Sequence, residues 1–165
     1  MDSFHEDMNE YKKQLERGAI IRAYRGLMEF FGALRTYFKK AYPECSVSGS
    51  VYHGYMDMTY FAVFPNSLKR RKLKIAIVFL HEAFRFEVWL ASLNKAVQAE
   101  YQDLFRDSGW NKYRIPSTIK GIDSIIEYIL VEKPDFHDLN ALTKEIEQGT
   151  LKFIEDIENF LNNKT

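Results

Sequence analysis

The sequence contains little cysteine and no long hydrophobic run. Its 165 residues include a single cysteine, Cys45, which excludes an internal disulfide framework and a metal site made only of cysteines. No apolar stretch approaches the roughly 20 residues that a membrane-spanning helix requires. The N-terminus MDSFHEDMNEYKK is charged throughout, unlike a secretory signal, which places an apolar region after a basic start. We therefore predict a cytoplasmic protein that does not associate with membranes, with Cys45 as a small buried side chain.

Motifs for metal ions and phosphates are also missing. His81-Glu82 would begin a zinc-protease motif only if position 85 were histidine, but that residue is Arg85. The other histidines have no histidine or cysteine nearby at the spacing of metal ligands. The glycines form neither a dinucleotide-binding pattern nor a phosphate-binding loop, and no GxSxG nucleophile motif is present. The sequence thus predicts no cofactor and no bound metal ion.

The chain also lacks an overall excess of charge, although its charges are unevenly distributed. Residues 1–120 carry nineteen Lys and Arg against thirteen Asp and Glu, a net charge of +6, and residues 121–165 carry four against ten, a net charge of −6. This split predicts that the C-terminal segment packs on the basic part by charge complementarity. The pI near 6.9 argues against a nucleic-acid partner, and the basic run Lys69 to Lys72 is interpreted as a solvated turn.

The size and the apolar fraction favour one domain over residues 1–165. At 46% apolar residues, the chain can bury one substantial core. Its clearest structural signal is the segment from Leu73 to Leu90, which alternates in the manner of two strands joined at His81-Glu82. A turn there predicts three opposed pairs, Phe79 with Phe84, Ile77 with Phe86 and Ile75 with Val88. We expect these six residues on the core face, and Arg85, Glu87 and Trp89 on the other face.

The remaining elements predict the fold class. Helices are expected from Ser3 to Arg17, where Ser3 and Glu6 have capping-box spacing, and from Ala19 to Tyr42, before Pro43. Two strands are expected between Ser46 and Pro65, with a break near His53-Gly54. Further helices are expected after a Ser92 cap and after an Asp138 cap, the last one interrupted by Gly149. Residues 122–131 suit a strand or a buried helix, and we favour the helix. The fold class is therefore α+β, an antiparallel β-meander of about four strands packed against N-terminal helices, with further helices after the sheet.

Polar and aromatic side chains on the strands are the candidate ligand-binding residues. If the strands that carry them lie side by side, they form one surface for a small molecule or a protein partner. The pattern favours an ordinary solvent-facing sheet surface on which Arg85 and Glu87 pair by charge. Large aromatic residues on a solvated face usually cover something, and this keeps a binding role open. The predicted binding residues are Tyr55, Asp57, Thr59, Arg85, Glu87 and Trp89.

An enzymatic alternative uses two acids of the same set. Asp57 lies on one predicted strand and Glu87 on a later one, in a helix, strands, helix order that is typical of restriction-type nuclease cores. Such a site also needs a lysine to polarise water beside the metal ion, but Val88-Trp89 follows Glu87. A metal-dependent hydrolase or nuclease is therefore the second hypothesis, and the sequence leaves open whether the protein is an enzyme.

Two blocks of sequence, GYMDMTYF and FRFEVWLA, carry a resemblance that extends through PSTIKGIDSIIEYIL and KPDFHDLNALTKEIEQGTLKFI. They resemble an uncharacterised prokaryotic domain family of unknown function over nearly the whole chain. The resemblance implies one domain and a bacterial or archaeal cytoplasm. It implies no activity, no cofactor and no site residues.

Overall fold

A computed structural model describes residues 3–116 and 123–163. It confirms the α+β class and the antiparallel sheet. The helices are α1 Phe4–Arg17, α2 Ala19–Ala41, α3 Asn66–Lys69, α4 Lys95–Asp107 and α5 Leu139–Asn162. The strands are β1 Ser46–Val47, β2 Met58–Phe64, β3 Leu73–Leu80, β4 Arg85–Ser92 and β5 Ser124–Val131. Within the described residues the sheet has five strands, against the predicted four or so, because Ser124–Val131 forms an additional strand, β5, beside β4.

The helical starts and stops follow their local chemistry. Ser3 caps α1 with the predicted capping box, since its hydroxyl accepts from the Glu6 N–H and the Glu6 carboxylate accepts from the Ser3 N–H. Gly18 ends α1 in the left-handed conformation at a φ of 80°, which glycine adopts without steric cost. Asp138 caps α5 as predicted, whereas α4 is capped by Asn94 rather than by Ser92.

The central hairpin has the predicted faces but a different register. Phe79 lies opposite Phe86, Ile77 opposite Val88 and Ile75 opposite Leu90, so each predicted pairing was wrong by two residues. A slip of two leaves every side chain on the same face, which is why alternation could not detect it. The turn takes four residues, and the Phe84 N–H closes it on the Leu80 carbonyl at 2.7 Å.

Phe84 was therefore wrongly assigned to the core. Its φ of 54° takes it out of strand geometry, and its side chain is 57% exposed. The other five predicted core residues of the hairpin are buried and confirm the prediction: Ile75, Ile77, Phe79, Phe86 and Val88.

The helix favoured for residues 122–131 was also wrong. Ser124–Val131 form β5, which pairs antiparallel with β4, and residue 122 lies outside the described residues. As a strand, this segment satisfies the backbone groups along β4, which a helix would leave as an unpaired edge. Its outer side is covered in part by a bridge between Arg114 and Glu127.

The two buried clusters that join the helices to the sheet lie on one of its faces, here called the helix-packed face. In one buried cluster the α2 residues Phe31 and Phe38 meet Phe61, Phe79 and Phe86 of the strands. In the other cluster, α4 and α5 pack on the opposite end of the same face, through Phe105, Phe153, Ile157 and the strand residues Ile75, Val88 and Leu90. The second face, which carries Arg85, Glu87 and Trp89, is called the polar face below.

Gly149 does not interrupt α5, contrary to the prediction. The helix continues through it because the glycine lies against β5, where an added Cβ would approach the Leu130 Cδ2 atom to 2.6 Å. The close approach of helix and sheet therefore accounts for a residue that costs about 1 kcal/mol in a helix interior relative to alanine. At the end of α5, Arg71 of the basic run donates to the Leu161 carbonyl at 3.4 Å.

Candidate functional site

The structure separates the six predicted binding residues: three lie on one face of the sheet, Thr59 lies on the other, and Tyr55 and Asp57 lie in the turn before β2. Arg85, Glu87 and Trp89 alternate along β4 on the polar face. Thr59 pairs with Phe79 across β2 and β3, which places it fully buried on the helix-packed face. The predicted single surface is therefore not formed, since β3 lies between β2 and β4 and Thr59 lies on the opposite face from the β4 residues.

On the polar face, a hydrogen-bonded network is centred on Glu87, whose exposure is only 2%. Its Oε2 accepts from the Arg85 Nε at 2.7 Å, and its Oε1 accepts from the Trp89 indole N–H at 2.9 Å. The hydrogen bond to Glu87 raises the pKa of Arg85, against the opposing effect of burial. Arg85 also pairs with Glu132 of the loop after β5 at 3.4 Å. Both Glu87 oxygens are occupied, so this network orients the Trp89 ring rather than offering a free carboxylate.

A shallow concavity of about 330 Å³ adjoins this network. Trp89, Tyr60 and Lys74 contribute to its floor, and the ion pair of Lys95 with Asp123 lies at its rim at 3.2 Å. Trp89 and Tyr60 remain partly exposed here. The polar face therefore offers aromatic surface beside ammonium groups.

Asp57 and Tyr55 lie in the turn before β2. The Asp57 Oδ1 accepts the Tyr55 N–H at 2.8 Å, and the backbone N–H groups of Tyr55 and Met58 lower the pKa of Asp57. The Tyr55 side chain is 91% exposed. Asp57 thus shapes the turn, and its backbone carbonyl accepts the His81 N–H at 3.0 Å.

This geometry gives no support to the metal-dependent alternative. Asp57 lies in the turn before β2 and Glu87 on β4, with β3 between these two strands. The Glu87 oxygens already accept from Arg85 and Trp89. Among residues 3–116 and 123–163, no group of three or more His, Cys, Asp or Glu side chains could hold a metal ion. In the same residues no helix is long and apolar enough to cross a membrane.

The larger concave feature is an apolar cavity of about 610 Å³, here called the hairpin cavity. It lies where the first three turns of α2, the β3–β4 turn and the segment before α5 meet. Several apolar side chains at its mouth are well exposed, among them Ile20, Met56, Phe84 and Leu139. Its lining residues are Ile20, Ala23, Tyr24, Gly26, Leu27, Phe30, Met56, Phe79, His81, Phe84, Phe136 and Leu139.

Aromatic contacts hold the cavity wall together. The Phe79 ring lies edge-on to Phe84 at a centroid distance of 5.2 Å and to Phe136 at 6.4 Å. Phe84 and Phe136 also meet edge to face at 6.1 Å. Such edge-to-face arrangements are favourable beyond simple burial. The left-handed backbone at Phe84 is what directs this ring toward the cavity instead of into the strand ladder.

His81 is a rare polar group among these side chains. Its ring lies edge-on to Phe79 at 5.0 Å, and its Nε2 is 2.8 Å from the buried Thr59 hydroxyl. Burial lowers the pKa of His81, and the nearby Asp57 carboxylate offsets part of that effect. The lowered pKa favours the neutral form of the ring at pH 7, since the ordinary histidine pKa of about 6.5 already lies below that pH.

Sequence reasoning interpreted His81 only as a turn residue and missed this cavity. His81 does begin the turn, but its side chain points at Thr59, a predicted binding residue on the neighbouring strand. Phe61 and Val63 share a face with Thr59, but the even-numbered residues from 58 to 64 are also apolar, so alternation along β2 alone did not indicate which face lies on the core. The contribution of Phe136 comes from a loop more than fifty residues later, and no periodicity connects it to the hairpin.

These features define a small α+β protein whose antiparallel sheet is covered by helices on one face and bears an apolar cavity at its hairpin end. The chain belongs to the family described as "Domain of unknown function (DUF7000)", which matches residues 4–161. This confirms the resemblance to an uncharacterised family over nearly the whole chain. No curated protein and no solved structure matches the chain significantly. The prokaryotic origin and the cytoplasmic location stay predictions.

Proposed function

We propose that this protein is a binding module for a small, largely apolar molecule, which it holds in the hairpin cavity. The observation that carries the proposal is the cavity itself, about 610 Å³ and lined by aliphatic and aromatic side chains around His81. Binding sites for small molecules are typically concave, predominantly apolar and about 300–1,000 Å³ in volume, with a few polar groups that orient the ligand.

The exposed rim supports the same proposal. Phe84 is 57% and Met56 54% exposed, so apolar surface meets water in the free protein at a cost of about 25 cal/mol per Å². Both residues also have a positive φ, a conformation that is uncommon for residues other than glycine and often accompanies functional sites. A bound apolar molecule would remove this surface from water.

The concave shape favours a small molecule over a protein partner. Stable protein interfaces bury about 1,200–2,000 Å² in total and are built on broad surfaces. Here the apolar residues converge from α2, from the turn and from the segment before α5 around one space. A ligand that enters this space contacts three parts of the chain at once.

The binding test uses Nile red, a neutral dye whose fluorescence rises in apolar surroundings, and a glycine in the cavity wall. Gly26 lines the cavity, and an added Cβ would meet no atom within 4 Å. In Gly26→Leu the new side chain occupies the cavity, and the helix loses a glycine, which costs about 0.8–1 kcal/mol relative to alanine in a helix interior. We expect saturable fluorescence with the wild-type protein and at least a tenfold weaker response with Gly26→Leu.

Gly32→Leu is the matched control. Gly32 lies in the same helix, has no atom within 4 Å of an added Cβ, and does not line the cavity. It should bind the dye as the wild type does. Equal binding by all three proteins, or no binding by the wild type, would contradict the proposal.

The polar face supports a second candidate function, the one that the sequence predicted. The specific observation is the Trp89 ring, fixed by Glu87 beside Tyr60 and Lys74 in the smaller concavity. This arrangement suits a planar, anionic molecule, which could stack on the indole and pair with the ammonium group. A metabolite screen by thermal shift distinguishes the sites: stabilisation lost in Trp89→Ala and kept in Gly26→Leu assigns a ligand to the polar face.

A further inference from the structure

The hydrogen bonds around His81 determine which ring nitrogen carries the proton. The Thr59 hydroxyl lies 2.7 Å from the His53 carbonyl oxygen and 2.8 Å from the His81 Nε2. A carbonyl oxygen can only accept, so the single hydroxyl proton points at His53. The Thr59 oxygen must then accept from His81, and the Nε2 of His81 must be the protonated nitrogen.

The second ring nitrogen is consequently an acceptor. A neutral imidazole with a proton on Nε2 has a lone pair on Nδ1. Within residues 3–116 and 123–163, the His81 ring makes its hydrogen bond through Nε2 alone. The backbone N–H of His81 is used separately by the Asp57 carbonyl. The ring thus brings one unpaired acceptor to a cavity whose other lining side chains are almost entirely apolar.

We propose that the hairpin cavity selects apolar molecules that carry one hydrogen-bond donor, such as a phenol or a long-chain alcohol, and that this donor binds the Nδ1 of His81. The inference rests on the proposed function of the cavity and specifies the class of its ligand. A hydrogen bond in a largely apolar site discriminates between ligands, because a bound ligand without the donor covers the acceptor and leaves it unpaired. Thr59 is the positioning residue, since it holds the tautomer.

Two ligands that differ only at the donor test the selection: 4-hexylphenol and its methyl ether, 4-hexylanisole. Their dissociation constants are measured by displacement of Nile red from the wild-type protein and from His81→Phe, which keeps a ring of similar shape. We expect the preference for the phenol over the ether to fall at least fivefold in His81→Phe. Comparing preferences between the two proteins cancels the different hydrophobicity of the ligands.

The outcomes separate this inference from the proposed function. One outcome is that both ligands bind the wild type and lose binding in Gly26→Leu, while the ratio of their dissociation constants is the same in the wild type and in His81→Phe. In that case the cavity binds apolar molecules and the donor selection is overturned. If neither ligand displaces the dye, or no dye binds, the proposed function itself fails.

A second measurement needs no variant and no ligand. Long-range ¹H–¹⁵N correlation NMR of the uniformly labelled protein at pH 7.5 reports the tautomer of each histidine. We expect His81 to show a protonated Nε2 and an unprotonated Nδ1. The opposite tautomer would overturn the inference even if His81→Phe fails to fold. Thr59→Val, which removes the hydroxyl that holds Nε2, should reduce the phenol preference and lower the population of this tautomer.

Discussion

At Asp156, burial and hydrogen bonding have opposite effects on the pKa of one carboxyl group. It lies on α5 with 4% exposure and accepts from the Tyr113 hydroxyl at 2.5 Å, from Lys112 at 3.1 Å and from Lys152 at 3.0 Å. Burial alone raises the pKa of this carboxyl, but the three donors outweigh it and lower the pKa to about 2. Burial and the bond to Asp156 raise the pKa of Tyr113 correspondingly.

Replacing Asp156 with asparagine should reduce the free energy of unfolding at pH 7 by about 1–2 kcal/mol, since the charge-assisted bonds become neutral ones. The folded pKa is lower than the ordinary 3.8, so the stabilisation is complete above pH 3.8 and is lost as the pH falls toward 2. The difference between wild type and Asp156→Asn should therefore shrink over that interval. Urea unfolding at pH 7, 5, 4 and 3 measures it.

Asp103→Asn is the control for this experiment. Asp103 also pairs with a cation, Arg106 at 3.4 Å, but its side chain is 70% exposed, and exposed pairs contribute about 0–1 kcal/mol. Asp103→Asn should therefore change the free energy of unfolding only slightly at every pH. A constant difference between Asp156→Asn and the wild type from pH 7 to pH 3 would contradict the assignment of a lowered pKa.

Among the elements, α1 combines good local signals with weak tertiary packing. It has a capping box and a left-handed glycine stop, yet none of its residues is buried, and its apolar stripe is open, with Phe4 79% and Tyr11 52% exposed. Isolated helices of this length are marginal in water. Local signals therefore predict where the helix begins and ends, but they do not report whether its apolar side is covered.

Deleting residues 1–15 should lower the free energy of unfolding by less than about 1 kcal/mol, because little buried surface is lost. For a chain of this size that corresponds to about 2–4 °C in the melting temperature. Phe31→Ala, in the buried part of α2, is the comparison and should cost about 3–5 kcal/mol. Amide exchange in α1 should also be faster than in α2. A loss above about 2 kcal/mol on truncation would show that α1 is docked in solution.

The strands show how far sequence alone could predict this fold. Alternation assigned both faces of β3 and β4, because burial on one face imposes a period of two. It could not fix the register, since Phe79 opposite Phe84 and Phe79 opposite Phe86 leave the same side chains inside. Residues 122–131 failed for a related reason: apolar, β-branched residues on both sides suit a buried strand and a buried helix alike. Their pairing with β4 is a tertiary contact, which the local sequence does not specify.

The candidate site was predictable in part. Arg85, Glu87 and Trp89 were expected on one face of β4, and they do form one network. Thr59 was assigned to the wrong face because its polarity was given more weight than its apolar neighbours on β2. The hairpin cavity is formed by α2, the turn and Phe136 together. These segments are far apart in the sequence, and no local pattern predicts that they come into contact.

At the scale of the whole molecule, the uneven charge distribution is reflected in the ion pairs. Four of those among the described residues join the basic first 120 residues to the acidic remainder, at distances from 3.1 to 3.9 Å: Arg85 with Glu132, Lys95 with Asp123, Lys112 with Asp156 and Arg114 with Glu127. Several of these side chains are well exposed. Their attraction is therefore open to screening by salt, whose Debye length is about 10 Å at 0.1 M.

The melting temperature should consequently fall by a few degrees between 20 and 300 mM NaCl. The double variant Lys95→Gln, Arg114→Gln removes two of these four ion pairs, and its melting temperature should fall less over the same range of salt. Asp103→Asn, whose pair lies within the basic part, should behave as the wild type does. A melting temperature that rises or stays level with salt in the wild type would show that charge complementarity does not contribute to the packing.

The order of the strands bears on how the protein is made. In the described residues they pair as β1-β2-β3-β4-β5, so each strand finds its partner in the segment synthesised just before it. Contacts between residues that are close in sequence form early, because closing a short loop costs little entropy. The sheet can therefore grow while the chain is still leaving the ribosome. Its helix-packed face stays incomplete until α5, which follows all five strands in the described residues, packs on it and buries Phe153 and Ile157. Completion of the core therefore depends on a helix that is synthesised after every strand of the sheet.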